Sequence, residues 1–352
     1  MTSYTIIIGY MMQSRDRYMP ILFLLLVVGC VALVMLDIIT GTTHIPLDAI
    51  WSVLCGDMED ATLTTIIVKM RLPKVIVAIL AGAALSASGL QMQTLFRNPL
   101  AGPYVLGVNS GASLGVALFT LATPLLGISA LPWLVSVGVT GMAWIGSALI
   151  LLLIISLSRR IRNINTILII GMMLSSAISA VVGILQYMGS EESLKAFVVW
   201  TMGSVSTVTM EQLWVLAPVV VVGLVLAMVV IKPLNMLLLG EGYARTMGLN
   251  VRRSRAIIFL STTLLAGSVT AFCGPIGFIG LAMPHVARIT FRSADHRILM
   301  PAAMLWGAFS LLVCTYVCDV VARSGVILPV NTITSLLGIP VIIYVVLRNS
   351  NR

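Results

Sequence analysis

The chain has 352 residues, 59% of them hydrophobic and 9% charged, with a formal net charge of +9. A soluble globule carries about 25% charged residues, so this composition excludes an ordinary soluble enzyme or binding domain and places the chain in a bilayer. The basic residues are spread thinly rather than gathered in a patch, which excludes a nucleic-acid-binding face.

The first 18 residues lack both an apolar core region long enough for a cleavable signal and a small-residue cleavage site. They read as a retained cytoplasmic extension (1–18), followed by one membrane domain (19–352). Apolar runs follow at about 20–39, 75–95, 103–124, 132–157, 166–187, 212–231, 256–272, 276–290, 299–321 and 331–347. A hydrocarbon core is crossed by about 20 apolar residues. The fold class expected is therefore an all-α membrane protein, a polytopic bundle of about ten transmembrane helices. Between the first two runs, the segment 40–72 carries Asp48, Asp57, Glu59 and Asp60 and reads as the longest aqueous stretch, with room for a short helix.

Small residues recur every four positions in the second run (Gly82 and Ser86, Ala83 and Ala87, Ala84 and Ser88) and in the third (Gly107, Gly111, Gly115). Such rows let helix backbones approach closely where lipid supplies no hydrophobic drive for association. After the sixth run, LGEGYARTMGLNV (239–251) is short, amphipathic and flanked by arginines. It reads either as an interfacial helix held at the headgroups or as a docking segment. The stretch FCGPIGFIGLAMPHVARITFR (272–292) is apolar but interrupted by Gly274, Pro275, Gly277, Gly280 and Pro284. Gly and Pro weaken an isolated helix and are tolerated at membrane depth where neighbours re-satisfy the backbone, so this segment lies inside a bundle.

With the N-terminus cytoplasmic, 16 of the 21 basic residues fall inside and only Lys69, Arg71, Lys74, Lys195 and Arg323 fall outside. Positive residues concentrate on the cytoplasmic side, so both termini are expected there. No span carries a charge near its centre; Asp37, Glu211 and Asp319 sit near span ends. This disfavours an ion-coupled secondary transporter, which remains the alternative because backbone carbonyls also bind sodium. No lysine follows a glycine in a phosphate-loop pattern, and no nucleophile–base set is visible, so no catalytic residue is assigned. The five cysteines give no disulfide framework, and neither Cys314 with Cys318 nor the scattered His44, His285 and His296 make a metal site.

Several blocks occur in a diagnostic order: MRLPKVIVAILAGAALSASGLQMQTLFRNPLAGPYVLGVNSGA (70–112), VVWTMGS (198–204), the 239–251 segment, the 272–292 segment, DHRILMP (295–301), DVVAR (319–323) and LLGIPVIIYVVLR (336–348). Together they resemble the FecCD-type permeases, membrane subunits of type II ABC importers for iron-siderophores, heme and cobalamin. The resemblance implies an inner-membrane permease that binds no cofactor itself. ATP and magnesium would be held by two partner ATPases. A periplasmic or lipid-anchored binding protein would deliver cargo, and a second permease subunit, more often a second copy, would complete the path. It further implies ATPase coupling through Glu241, Ala244, Arg245 and Gly248, and binding-protein docking on Arg71, Lys74 and Arg323. A cytoplasmic gate would form at Asn98, Leu100, Ile164 and Asn165, where Ile164 departs from the hydroxyl residue of some relatives. The path would be lined by Trp200, Met202, Ser204 and Ser206, on and after a short helix at about 192–204, and by Gly277 and Gly280 of the eighth helix.

Overall fold

The computed structural model describes residues 2–41, 61–123, 132–161 and 163–350; the expected acidic loop residues, with His44 and Cys55, lie outside them. Among the described residues every regular element is helical. Hydrocarbon offers no partner to a backbone amide, and a helix satisfies its own.

Helix α1 (Thr2–Ile39) runs the N-terminal extension and the first span together as one helix. A turn at Ala61–Thr65 and a π-helical stretch at Ile66–Arg71 lead directly into α2 (Leu72–Leu95). After a 3-10 turn at Pro103–Leu106 comes α3 (Val108–Ala117), extended by a π-helical stretch at Leu118–Ala122. Then follow α4 (Pro132–Arg160), α5 (Ile164–Met188), the short α6 (Glu191–Thr201) and α7 (Met210–Val229). The sequence continues with α8 (Ile231–Leu238), α9 (Glu241–Thr246), α10 (Val251–Cys273), α11 (Ile279–Phe291), α12 (His296–Ala322) and α13 (Val330–Ser350).

Eight helices among the described residues are long and apolar enough to cross a membrane. The third and eighth expected segments are shorter: Val108–Ala122 and the 13 residues of α11. At about 1.5 Å per residue, 13 residues span about 20 Å of a core about 30 Å thick. The remainder of the eighth crossing is irregular backbone at 274–278. One expectation is corrected here. The stretch 61–72 is not aqueous loop but helix, and the second span runs Thr62–Leu95.

Helix α2 is the hub of the bundle. Helices α1, α7, α8, α10, α11 and α12 pack on it, and 83% of its most apolar window is buried, against 17% for α1 and 22% for α5. The small-residue rows explain how so many neighbours reach one helix. Gly82 faces Gly307 of α12, and Gly89 faces Gly280 of α11, backbone against backbone. Gly111 meets Gly146 of α4 in the same way. A buried polar clasp adds direction: Gln91 Nε2 donates to Ser261 Oγ (3.0 Å), Thr262 Oγ1 donates to Gln91 Oε1 (2.8 Å), and Ser261 Oγ donates to Gly223 O (3.0 Å). This ties α2, α10 and α7 together with every partner satisfied, as a polar group in an apolar interior requires.

Candidate functional site

The segment expected to couple to an ATPase is a helix of six residues, α9, between Gly240 and Met247. So short a helix has no stability of its own; one clasp holds it directly and a second holds the preceding α8. In the first, Arg255 of α10, with a side chain only 2% exposed, forms an ion pair with Glu241. Its Nε donates to Glu241 Oε1 at 3.0 Å. In the second, Asn235 of α8 holds the start of α12. Its Nδ2 donates to Asp295 Oδ1 (2.6 Å), and its Oδ1 accepts from the backbone N–H of His296 (2.9 Å). Buried His296 lies between Asn235 Oδ1 (2.7 Å from Nδ1) and Thr94 Oγ1 of α2 (2.8 Å from Nε2). Asp295 caps α12 by accepting from the backbone N–H of Arg297, and that hydrogen bond holds its carboxyl below the usual aspartate range.

The clasps reassign the coupling residues. Ala244 is fully buried, and Glu241, 23% exposed at the side chain, is turned towards Arg255 as an anchor. Tyr243, Arg245, Thr246, Met247 and Gly248 are exposed, with Arg245 3.6 Å from Glu241 on the same short helix. The chain leaves α9 through hydrogen bonds from Gly248 N to Arg245 O and from Leu249 N to Ala244 O, both 3.0 Å.

The residues expected along the path gather where α6 ends against the break between α10 and α11. Gly203 and Gly274 both have positive φ, at 69° and 71°. A side chain on Gly203 would lie 2.7 Å from the Pro275 carbonyl, and one on Gly274 would strike that of Trp200. Only glycine meets both demands. Ser204 N donates to Cys273 O (2.7 Å), Tyr104 Oη to Ile276 O (3.0 Å), and Gly277 N to Asn331 Oδ1 (2.9 Å). Three otherwise unpaired groups of the break are thus satisfied at membrane depth, which is the condition for irregular backbone there. Met202 and Ser206 are exposed, Trp200 and Ser204 half-buried. Gly280 is corrected: it is buried against Leu85 and Pro103 and packs α11 on α2 rather than facing a path.

Among the residues expected at a gate, Asn98 makes a local turn in which its Oδ1 accepts from Leu100 N (2.9 Å). Leu100 is exposed. Ile164 and Asn165 open α5, capped by Asn163, whose Oδ1 accepts from Asn165 N (2.9 Å). Among the described residues no hydrogen bond or ion pair joins the two pairs.

The three cations expected to receive a binding protein separate. Arg71 and Lys74 are buried, at 7% and 8% exposure, so the expectation of free docking charges is corrected for both. Arg71 donates to the carbonyls of Ile38 and Ile39 at the end of α1, and Lys74 forms an ion pair with Asp319 of α12. A buried cation must be paired, and these pairs fasten α2 to α1 and α12. Arg323 alone remains exposed, donating to Gly41 O at 3.2 Å.

A family model for the FecCD transport family matches residues 25–348. The chain belongs to the FecCD transport family. Over 287 residues it is 37% identical to the hemin transport system permease protein HmuU of Yersinia pestis, covering 80% of this chain and 83% of that one. Over 288 residues it is 36% identical to the vitamin B12 import system permease protein BtuC of Klebsiella pneumoniae, covering 81% and 83%. A solved metal-chelate type ABC transporter in an inward-facing conformation superimposes with a TM-score of 0.78 at 26% identity, over 93% of this chain and 99% of that one. PsaBC of Streptococcus pneumoniae shares the fold, with a TM-score of 0.55 at 17% identity. The FecCD chain is thus a multi-pass transport permease. Among its described residues no cluster of three or more histidines, cysteines or acids is placed to hold a metal.

Proposed function

We propose that this permease is the membrane-spanning half of a binding-protein-dependent ABC importer in the bacterial inner membrane. Its cargo is a bulky metal chelate of the iron-siderophore, hemin or cobalamin class. Two copies enclose the path, both termini face the cytoplasm, two separate ATPases dock on the α9 segments, and a binding protein docks on the opposite face around Arg323. The permease contributes geometry and no bond chemistry.

The observation that carries this reading is the mounting of α9. A helix that merely rests at the headgroups needs only an apolar face and peripheral charges. This one is locked from beneath by the Glu241–Arg255 pair while Tyr243, Arg245 and Met247 stay exposed. A rigid, exposed knob can transmit a displacement to α10, which contacts α2, α4 and α7. The buried cations Lys74 and Arg255 are each paired with an acid of the same chain, Asp319 and Glu241, which also fits a path energised from outside the chain.

The test is co-expression with a candidate ABC ATPase from the same organism, followed by purification on the permease alone. Stoichiometric recovery of the ATPase, abolished by Tyr243→Glu with Met247→Glu while folding is kept, is the expected outcome. Full recovery with the doubly substituted chain would contradict the docking role of α9.

A further inference from the structure

Where α2, α8, α11 and α13 end together, the structure forms an open-sided cavity of about 660 Å³. Arg97, Arg288 and Arg292 line it, and the described residues around it include no aspartate or glutamate. Arg288 NH1 donates to Gln93 Oε1 (2.6 Å) and lies 3.4 Å from His285 Nδ1. His285 is buried, and its Nε2 lies 2.8 Å from Pro99 O. A carbonyl only accepts, so the imidazole proton sits on Nε2 and Nδ1 is left as an acceptor towards Arg288. Arg288 is thereby held in place by two neutral groups, with no ion pair to an acid among the described residues.

The other two arginines are held by backbone. Three non-glycine residues among those described have positive φ, and two of them are Arg97 (50°) and Arg292 (48°). This region is sparsely populated by residues with a side chain, and such strain collects at ligand sites. Neither guanidinium takes part in a side-chain hydrogen bond or ion pair with any described residue. Three like charges on one cavity repel unless an anion joins them, and guanidiniums match the oxygens of a phosphate group in geometry as well as charge.

The cavity also has an apolar side. Leu238, Ile289 and Val345 line it, and the first two are exposed. A free phosphate would use the cations alone, whereas a phospholipid headgroup with its glycerol and upper acyl carbons would use both. Basic pockets between transmembrane helices on the positively charged side are suited to anionic headgroups. We propose that this cavity binds a phosphate group through Arg97, Arg288 and Arg292, and that the phosphate belongs to an anionic phospholipid of the adjoining leaflet.

The test uses the full-length chain in nanodiscs of mixed phosphatidylglycerol and phosphatidylcholine, with retained lipid counted by native mass spectrometry. Arg97→Asn with Arg292→Asn removes two charges while keeping a residue that tolerates left-handed backbone. Each basic residue near a charged surface is worth about fivefold, the equivalent of about 1 kcal/mol, so the double variant should retain phosphatidylglycerol roughly 25-fold less well. The single Arg292→Asn should show about fivefold, and it serves if the double variant folds poorly. Arg97→Lys with Arg292→Lys should keep most of the preference. In a second arm, thermal stability is compared in inorganic phosphate and in chloride at equal ionic strength. Phosphate-specific stabilisation that the double variant loses, with phosphatidylglycerol retention unchanged, would assign the site to soluble phosphate and overturn the lipid source. Equal lipid retention with no phosphate-specific stabilisation would overturn the site itself.

Discussion

Removing Glu241 should unmount α9 without unfolding the bundle. Arg255 is 2% exposed and Glu241 23% exposed at the side chain, so Glu241→Ala leaves a guanidinium buried with its main counter-charge gone. Breaking a buried pair from one side costs about 3–5 kcal/mol, and the partial exposure of the acid argues for the lower end, about 3 kcal/mol. At about 1.4 kcal/mol per factor of ten, that is on the order of a 100-fold shift in the local opening equilibrium. It should appear at α9 because a helix of six residues has no independent stability. The assay is hydrogen exchange on the intact chain. Amides of residues 244–249 should exchange on the order of 100-fold faster, while those of α2 stay as they were. The charge-swapped pair Glu241→Arg with Arg255→Glu should recover part of the protection, only part because Arg255 also donates to Ile161 O at 3.4 Å. Exchange at residues 244–249 within about threefold of wild type in Glu241→Ala would refute the mount.

Gly280→Ala would place a methyl 2.6 Å from Leu85 O and 2.8 Å from the Pro103 ring; neither can retreat, so thermal unfolding should show a loss of about 2–3 kcal/mol. Gly183→Ala meets nothing within 4 Å and should be neutral or gain up to about 1 kcal/mol. Lys74→Met leaves Asp319 unpaired in a largely buried site and should cost about 3 kcal/mol, most of it restored by adding Asp319→Leu. Arg323→Glu should weaken binding-protein docking about fivefold at low salt, with a smaller difference at high salt, because an exposed rim charge is worth at most about 1 kcal/mol and is screened. Because Asp295 has a lowered pKa when folded, its capping contribution is fully present above the ordinary aspartate pKa and is lost as pH falls through the lowered value. A pH series of thermal unfolding should show Asp295→Asn removing that acid-side loss.

What hydropathy and small-residue spacing can carry was legible: the long apolar helices, the close approach at Gly82 and Gly111, the interruption at Gly274–Gly277 and the place of the short helix before Gly203. These depend on neighbours in sequence. The second span was drawn too short because Lys69, Arg71 and Lys74 make residues 61–74 look aqueous, and what allows two of them inside is non-local. The partners of Arg71 lie over 30 residues away in α1, and that of Lys74 lies 245 residues away. For the same reason Arg255 read as one more inside charge rather than as the anchor of α9, and Glu241 read as surface. Tyr104 and Asn331 carried no local signal, since their task is to meet carbonyl and amide groups of a break some distance away in the chain. A Gly-Pro-rich break announces that such partners are needed, not which residues supply them.

The most direct measurement of the transport function is uptake into proteoliposomes containing this permease with its ATPase, loaded with ATP inside and given a cargo-charged binding protein outside. An iron-siderophore, hemin and cobalamin are supplied in turn. The prediction is accumulation of one of these chelates that requires both ATP and the binding protein and is unchanged when proton and sodium gradients are collapsed. Accumulation driven by an ion gradient through the permease alone, with ATP and the ATPase absent, would contradict it.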